Sequence, residues 1–378
     1  MRRYILVAVL VLVVAAISLT AAAADTIKLG LVGPMTGPVA AYGEGVRDGA
    51  ILAVEQINAS GGVLGKQIEL VILDTQGDAQ QTNILVNRLI QREQIVGLIG
   101  PVITTEAVVG GPICQRFGVP MITPTATAVE VTLVGDYVFR VCYTDDYQSI
   151  AAVNYMHQQG IKKAGVLYKV GDTYSEGLKN VFVDAFRKLG GEVIDVAYNL
   201  GDTDFSAQLS TLKSFGAEGV FCPFYYDDAI LVTRQAAAMG FAPLFVGPDG
   251  WDAPELLDQA GDAALGATMT THYSPTDTRP MVQQYLKDYQ ERFGRFPIVL
   301  SALGYDAARL MIDAIERAGS LDRRAIRDAI AATEGFDGVT GNSISLDANG
   351  NPIKDVTIVM VVKKDGKLAF EFVDAVRP

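Results

Sequence analysis

The amino-acid sequence predicts an α/β protein of two lobes, each built on a doubly wound parallel sheet. Short apolar runs typical of buried strands alternate with segments whose apolar residues recur at helical spacing. This alternation occurs twice, from residue 27 and again from residue 163, before a helical region and a final hairpin. The chain of 378 residues is also long for a single hydrophobic core and long enough for two lobes.

The first series of strands and helices occupies the N-terminal part of the chain. Apolar residues recur at helical spacing from Val46 to Ile57, and the Asn and two Gly of residues 58–62 end that helix. Asp78 is placed to cap a second helix, whose apolar face lies within residues 84–90. The predicted strands of this series are residues 27–32, 67–73, 95–99 and 119–122.

The second series repeats this rhythm and is followed by a helical tail. Its predicted strands are residues 163–168, 192–198, 219–224 and 244–246, and its predicted helices are residues 175–189, 205–214 and 229–239. After about Thr278 the pattern favours helices at 280–293, 302–318 and 323–331, then a hairpin of 356–363 and 368–373 about Asp365-Gly366. Residues 137–146 join the two series as a strand-like connector, which predicts a hinge rather than a flexible tether.

The first 24 residues have the pattern of a secretory signal peptide. Met1-Arg2-Arg3 is followed by an apolar run over residues 4–19 and by four alanines at 21–24. A membrane anchor is the alternative, but the run is short for a bilayer span. We therefore expect export to the periplasm with cleavage near Ala24, and no membrane insertion afterwards. No later stretch is apolar for long enough to cross a bilayer.

Charge and residue usage exclude several classes of function. The net charge is −12, and no basic block stands out, which argues against nucleic acid or anionic lipid as a partner. The chain has two histidines and three cysteines, and none of them have the close spacing of metal ligands. These residues give little support for a zinc site or a histidine-based triad, so no metal or cofactor is expected. The cysteines are interpreted as buried small apolar residues, with their redox state left open: Cys114, Cys142 and Cys222.

The loop after the first strand contains glycines but does not fit a nucleotide-binding turn. Gly43, Gly45 and Gly49 approach the dinucleotide motif with the last spacing one residue too long, and the loop is about twice the length of a tight phosphate turn. Tyr42, at the end of this loop, is a candidate for the wall of a cleft, or else a surface aromatic.

Two further strands of the first lobe end in loops rich in threonine. "GPVITTEA" (100–107) carries Thr104, and "MITPTATA" (121–128) carries Thr125 and Thr127. These hydroxyls could serve only as helix caps. Because the carboxyl ends of parallel strands share one edge, they could also form a neutral cradle with free N–H groups, suited to one carboxylate rather than a polyphosphate.

The second lobe offers aromatic rings and one carboxylate at the corresponding edge. Tyr174, Tyr225 and the pair Asp249 and Trp251 each follow a predicted strand. The first lobe would bind the carboxylate of a ligand, and the Asp249 carboxylate of the second lobe would bind an ammonium. Together they predict a site for an α-amino acid zwitterion. Aromatic walls would exclude water and strengthen both polar contacts.

At this point the chain resembles the periplasmic leucine/isoleucine/valine-binding protein family, the solute receptors of branched-chain amino acid ABC importers. The resemblance rests on five segments in order: "LVGPMTGPVAAYG" (31–43), "INASGGVLGKQIELVILD" (57–74), "MITPTATA" (121–128), "YSEGL" (174–178) and "VGPDG" (246–250). It implies a type I periplasmic binding fold, with two Rossmann-like lobes joined by three crossovers that close on the ligand. The implied lobes are residues 25–144 with 274–352 and residues 145–273 with 353–378.

The resemblance also implies roles for the candidate residues. Thr104 and Thr127 would hold the ligand carboxylate, the Thr125 carbonyl would accept from the ligand ammonium, and Asp249 would neutralise that ammonium. The cleft around the ligand side chain would be lined by Tyr42, Tyr174 and Tyr225, with Trp251 beside the carboxylate. Relatives with a preference for leucine carry Glu at the position of Asp249, so the side-chain specificity stays open.

Three functions follow from this sequence as alternatives. The first is a receptor that captures an α-amino acid by ligand-induced closure and delivers it to a membrane permease. The second is the same receptor for a carboxylate without an ammonium, such as an aromatic acid, or for a small amide. The third is an enzyme on a similar fold, which no Ser/His/Asp order, metal cluster or phosphate loop of the sequence supports.

Overall fold

The computed structural model describes residues 26–274 and 276–376. The predicted signal peptide lies outside these residues. Within them, no helix combines the length and apolar character needed to cross a membrane.

The first sheet has five parallel strands in the order β2-β1-β3-β4-β5. Its strands are β1 (Ile27–Gly33), β2 (Ile68–Asp74), β3 (Gly97–Ile99), β4 (Met121–Thr123) and β5 (Val138–Arg140). The helices between them are α1 (Ala40–Ala59), α2 (Ala79–Gln91) and α3 (Thr104–Phe117). The Asp78 side chain accepts from the backbone N–H of Gln81 at 2.7 Å, which confirms the predicted cap of α2.

The helical tail returns to this first sheet. It consists of α8 (Pro280–Phe293), α9 (Val299–Ala318) and α10 (Arg323–Ala331). Helix α9 packs so closely against α1 that a Cβ added at Gly49 would lie 1.9 Å from the Ser301 carbonyl oxygen. Gly49, the last glycine of the sequence pattern considered above, therefore serves helix packing.

The second sheet has seven strands in the order β14-β13-β10-β9-β8-β6-β7. They are β6 (Lys163–Lys169), β7 (Glu192–Tyr198), β8 (Gly219–Phe221), β9 (Leu244–Gly247), β10 (Thr268–Thr271), β13 (Val356–Lys364) and β14 (Lys367–Val376). Its helices are α4 (Asp145–Gln158), α5 (Thr173–Lys188), α6 (Ser206–Phe215) and α7 (Tyr226–Ala238).

This sheet departs from the predicted all-parallel arrangement. The C-terminal hairpin is present as predicted, but its strands add to the sheet antiparallel, so that β13 pairs with β10. Strand β10 was not predicted, because three of its four residues are threonines and give no apolar signal. The two α/β lobes with mainly parallel strands are nevertheless confirmed.

The described chain passes between the two sheets in three segments. The first joins β5 to α4, the second joins β10 to α8, and the third runs from a small antiparallel pair, β11 (Phe336–Gly338) and β12 (Gly341–Ile344), to β13. The lobe boundaries at 144/145, 273/274 and 352/353 stay a proposal. Because three segments connect the lobes, a hinge motion would bend all three together.

Candidate functional site

The two threonine loops of the first lobe are bonded to each other at the carboxyl edge of the sheet. The Thr123 hydroxyl donates to the Pro101 carbonyl at 2.7 Å and accepts from the Ala126 N–H at 3.1 Å. The Thr125 hydroxyl donates to the Val102 carbonyl. These two hydroxyls therefore fix the loops, and the backbone of Thr125 is what this residue has left to offer a ligand.

A buried arginine holds the backbone of the second threonine loop, residues 121–128. Arg140, at the end of β5, is fully buried, and its guanidinium donates to the carbonyls of Ala126 at 3.1 Å and Ala128 at 2.7 Å. It also donates to the Thr132 hydroxyl at 3.3 Å. An arginine offers five N–H donors in a rigid plane, so it can hold several loop carbonyls in one geometry. The loop is thus fixed before any ligand arrives.

Thr104 and Thr127, one from each loop, are both buried. Thr104 is the first residue of α3, whose first N–H groups have no partner within the helix. Thr127 lies beside Asp145, since its carbonyl accepts from the Asp145 N–H at 2.9 Å. Its hydroxyl also favours ionisation of the Asp145 carboxyl and so opposes the raised pKa of that group.

Both oxygens of the Asp249 carboxylate accept hydrogen bonds from buried side chains. Tyr174 donates to Oδ1 at 2.7 Å, and His272 lies 2.9 Å from Oδ2 through its Nε2. Burial, assisted by the nearby Lys354 ammonium, lowers the pKa of His272 to about 4, so its imidazole is neutral at pH 7 and donates from Nε2. The Tyr174 hydroxyl in turn accepts from the Gly250 N–H at 3.1 Å.

A second carboxyl lies next to Asp249 and is linked to it by Gln148. The Gln148 amide donates to Asp145 Oδ1 at 2.8 Å and accepts from the Asp249 N–H at 3.1 Å. Its Oε1 also accepts from the Thr270 hydroxyl at 2.9 Å. Burial raises the pKa of Asp145 to about 8, and the charge on Asp249 acts in the same direction. The charge on Asp249 thus disfavours a charge on Asp145, and a cation bound nearby would reduce this effect.

Tyrosine rings from both lobes close the space between these groups. The rings of Tyr174 and Tyr225 stack at 4.9 Å, and Tyr42, from the other lobe, contacts Tyr225 edge-on at 5.6 Å. The Tyr42 hydroxyl donates to the Gly250 carbonyl across the cleft. Burial raises the pKa of all three phenols well above the ordinary value, so they remain donors.

The cavity enclosed between the lobes has a volume of about 10 Å³. Such a volume holds about one water molecule. Its wall is formed by residues of both lobes, among them Tyr42, Thr125, Tyr174, Tyr225 and Asp249. A molecule of amino-acid size therefore enters only if the lobes move apart.

Residues 26–367 match the family described as periplasmic binding protein. The chain belongs to this family. It is also 34% identical to the leucine-, isoleucine-, valine-, threonine- and alanine-binding protein of Pseudomonas aeruginosa, over 87% of this chain and 88% of that protein. The family and this relative are binding proteins, so the enzyme interpretation is set aside.

Solved structures share the whole fold of this binding protein. A leucine binding protein from Thermotoga maritima superposes with a TM-score of 0.88 at 38% identity, covering 93% of this chain and 99% of that one. A solute binding protein of an ABC transporter from Rhodopseudomonas palustris BisB5, in complex with 3,4-dihydroxybenzoic acid, gives a TM-score of 0.85 at 25% identity, covering 93% and 98%. The two-lobed architecture is therefore that of a periplasmic solute-binding protein.

The structure of this binding protein brings most of the predicted site residues together. Five of them line the interlobe cavity, whereas Thr104 and Thr127 lie buried nearby without lining it. Trp251 is also buried outside that wall, where it stacks on Phe224 at 6.2 Å and packs against Gly247. The short helical turn that presents Asp249 thus sends the indole ring into the lobe interior.

Four polar residues of the network were not found from the sequence: Asp145, Gln148, Thr270 and His272. Asp145 follows Thr144 at the start of a helix, which is the pattern of an ordinary N-terminal turn. Gln148 follows it by three residues, one helical turn later. That spacing on one helix face, directly after the interlobe connector, was a signal available in the sequence. His272 follows the unpredicted β10, and nothing local indicates its partner.

Proposed function

We propose that this protein is the extracytoplasmic receptor of an ABC importer and captures an α-amino acid, branched-chain or related, between its lobes. The observation that carries the proposal is the Asp249 carboxylate, held by Tyr174 and His272, in one cavity wall with residues of both threonine loops. A ligand ammonium would pair with Asp249 and a ligand carboxylate with the free N–H groups near Thr104 and Thr127.

The remaining parts of the site support the same ligand class. The Thr125 carbonyl is available as a third acceptor for the ammonium, since the hydroxyl of that residue already bonds within the first lobe. The wall of Tyr42, Tyr174 and Tyr225 would surround a small apolar side chain. The relatives from P. aeruginosa and T. maritima are both described as binding leucine, and the former also as binding isoleucine, valine, threonine and alanine.

Closure between the lobes would sequester the ligand, and the closed form would deliver it to the permease subunits of the importer. Ligand contacts from both lobes favour the closed arrangement over the open one. The predicted signal peptide, with cleavage near Ala24, supports a periplasmic location.

A second ligand class is favoured by one specific observation. Three tyrosines line the interlobe cavity, and the structural neighbour from R. palustris was solved with an aromatic acid. A carboxylate without an ammonium, or a small amide, would use the same cradle and would have no cation for Asp249.

The first experiment is thermal melting of the protein from residue 25 onward, after unfolding and refolding to remove carried-over ligand. The standard amino acids, small aromatic acids and short amides are added singly, because a ligand of the folded state raises the melting temperature by mass action. Binders are then titrated by calorimetry against Asp249→Asn and the exposed control Asp262→Asn.

We expect shifts from amino acids and a loss of more than about tenfold in affinity for Asp249→Asn only, because the variant leaves a buried ammonium unpaired. Shifts from acids without an amine, with unchanged binding to Asp249→Asn, would assign the second ligand class. An absence of any shift across the whole panel would contradict the receptor proposal.

A further inference from the structure

A second and larger cavity lies at the hinge. It has a volume of about 590 Å³ and shares no wall residue with the interlobe cavity. Its wall comes from the second and third connecting segments, from β12 and from the C-terminal hairpin of the second sheet, so it lies where the chain passes between the lobes. We call it the hinge cavity and define it by His272, Arg279, Thr340, Lys354, Thr357 and Ala375.

The most distinctive group in this wall is a buried lysine. Lys354 is 7% exposed, and its ammonium donates to the Thr340 hydroxyl at 3.0 Å. Burial lowers the pKa of Lys354 to about 8, so the group still carries its charge at pH 7. An ammonium has three N–H donors, and one is used on Thr340.

The carboxylates nearby are already engaged. Asp306 accepts from the backbone N–H groups of Val339 and Thr340 at 2.8 Å each, and from the Thr340 hydroxyl at 2.7 Å. Asp277 is paired with Arg279 at 2.7 Å. Asp355, at the exposed edge, also lines the cavity. An anion that enters would therefore meet an ammonium with donors to spare.

One residue belongs to both sites. His272 lines the hinge cavity, while its Nε2 bonds to Asp249 in the cleft. Its Nδ1 is buried and has no hydrogen-bond partner among the described residues. In the neutral ring that donates from Nε2, Nδ1 is an acceptor, which a ligand hydroxyl or amide would satisfy. The ring stacks on Tyr143 at 3.9 Å, which fixes its plane.

We propose that the hinge cavity is a second binding site, for a small organic anion whose carboxylate or phosphate group pairs with Lys354. Such an effector contacts the connecting segments and both lobes, so it binds one lobe arrangement better than the other. The cavity is present in this closed arrangement, and an anion that fits it favours closure. By reciprocity it raises the affinity of the cleft for its own ligand, a step that rests on the proposed function.

Direct binding is tested first, without any cleft ligand. The protein from residue 25 onward is titrated calorimetrically with acetate, succinate, citrate and inorganic phosphate at constant ionic strength. Two variants alter the cavity: Lys354→Met removes the charge, and Ala375→Phe narrows the exposed mouth. Their controls lie on the same hairpin outside the cavity: Lys363→Met and Ala369→Phe.

We expect saturable binding of at least one anion, weakened at least tenfold in both cavity variants and retained in both controls. The preference between carboxylates and phosphate identifies the anion class. Absence of saturable binding, or binding unchanged in Ala375→Phe, overturns the proposal even if Lys354→Met fails to fold. Because Ala375 lies outside the wall of the cleft, loss of binding in Ala375→Phe assigns the anion to the hinge cavity, and this outcome is independent of the amino-acid proposal.

Coupling is tested second, with the ligand that the melting panel identifies. Saturating anion should lower the dissociation constant of the cleft ligand by about fivefold or more, the range usual for coupled sites. The effect should disappear in Ala375→Phe. An unchanged dissociation constant, with anion binding demonstrated, would leave a second site without the proposed coupling and would overturn that part.

Discussion

The Asp145 carboxyl should make the stability of this protein depend on pH in a way that one substitution removes. Its pKa is raised to about 8 by burial, while an aspartate in an unfolded chain has a pKa of about 3.9. Between these values the folded state binds more protons than the unfolded state. The free energy of unfolding therefore falls as pH rises through this window.

The magnitude follows from the size of the window. A group that is protonated only in the folded state changes stability by about 1.4 kcal/mol per pH unit, or about 2–3 kcal/mol from pH 5 to pH 7. Asp145→Asn abolishes this term, because an amide does not titrate and still accepts from Gln148 through its oxygen. From pH 5 to pH 7, the free energy of unfolding of the variant relative to the wild type should therefore rise by about 2–3 kcal/mol.

The assay is urea unfolding of the two ligand-free proteins at pH 5 and pH 7. Glu106, Asp252 and the other titrating groups are present in both proteins, so their contributions cancel in the difference. Asp258→Asn, at an exposed position, controls for the loss of one carboxylate. An equal difference at both pH values would mean that Asp145 is ionised in the folded protein, and would refute the reasoning.

Ligand binding provides a second measure of the same group. An ammonium beside Asp145 and Asp249 would favour the ionised carboxyl, so binding near pH 7 should release protons from the wild type and fewer from Asp145→Asn. Calorimetry in buffers of different ionisation enthalpy measures this release. Equal release by both proteins would place the ammonium away from Asp145.

Three further outcomes are expected. Tyr174→Phe removes a hydrogen bond to a carboxylate and should weaken cleft binding by about tenfold in calorimetry, whereas an unchanged affinity would show that His272 alone holds Asp249. Glu106→Gln should stabilise the protein more at pH 7 than at pH 5, because burial raises the pKa of Glu106 to about 8; denaturant unfolding measures this, and an equal gain at both pH values would contradict it. Trp251 emission should shift when ligand binds, since its ring shares a helical turn with Asp249, and a constant spectrum with proven binding would mean that this turn does not move.

The parts of the fold that sequence reasoning reached are those with local signals. Alternating apolar runs located the strands, and Asp365-Gly366 marked the hairpin. The site residues at strand ends followed from one topological rule about parallel sheets. The pairing of β13 with β10 was missed, because the two strands are 85 or more residues apart and no local sequence pattern indicates that they are adjacent in the sheet.

Side-chain direction limited the prediction of the site. Asp249 and Trp251 are two residues apart on one turn, and the packing of Trp251 against Gly247 and Phe224 holds its ring in the lobe interior. Asp145 has the composition of a helix start, and its burial depends on the docking of α4 beside the other lobe's loop. Such features arise from tertiary packing, which sequence periodicity does not encode.

The hydroxyl of Tyr226 donates to the Pro38 carbonyl at 3.0 Å, from one side of the cleft to the other. This bond lies outside the ligand cavity, so it favours closure whatever the ligand is. A bond of about 1 kcal/mol changes the ratio of closed to open molecules about fivefold. Selection acting on this single oxygen could therefore adjust the concentration range in which the receptor works while its choice of ligand stays the same. Sensitivity and specificity can evolve separately in such a molecule.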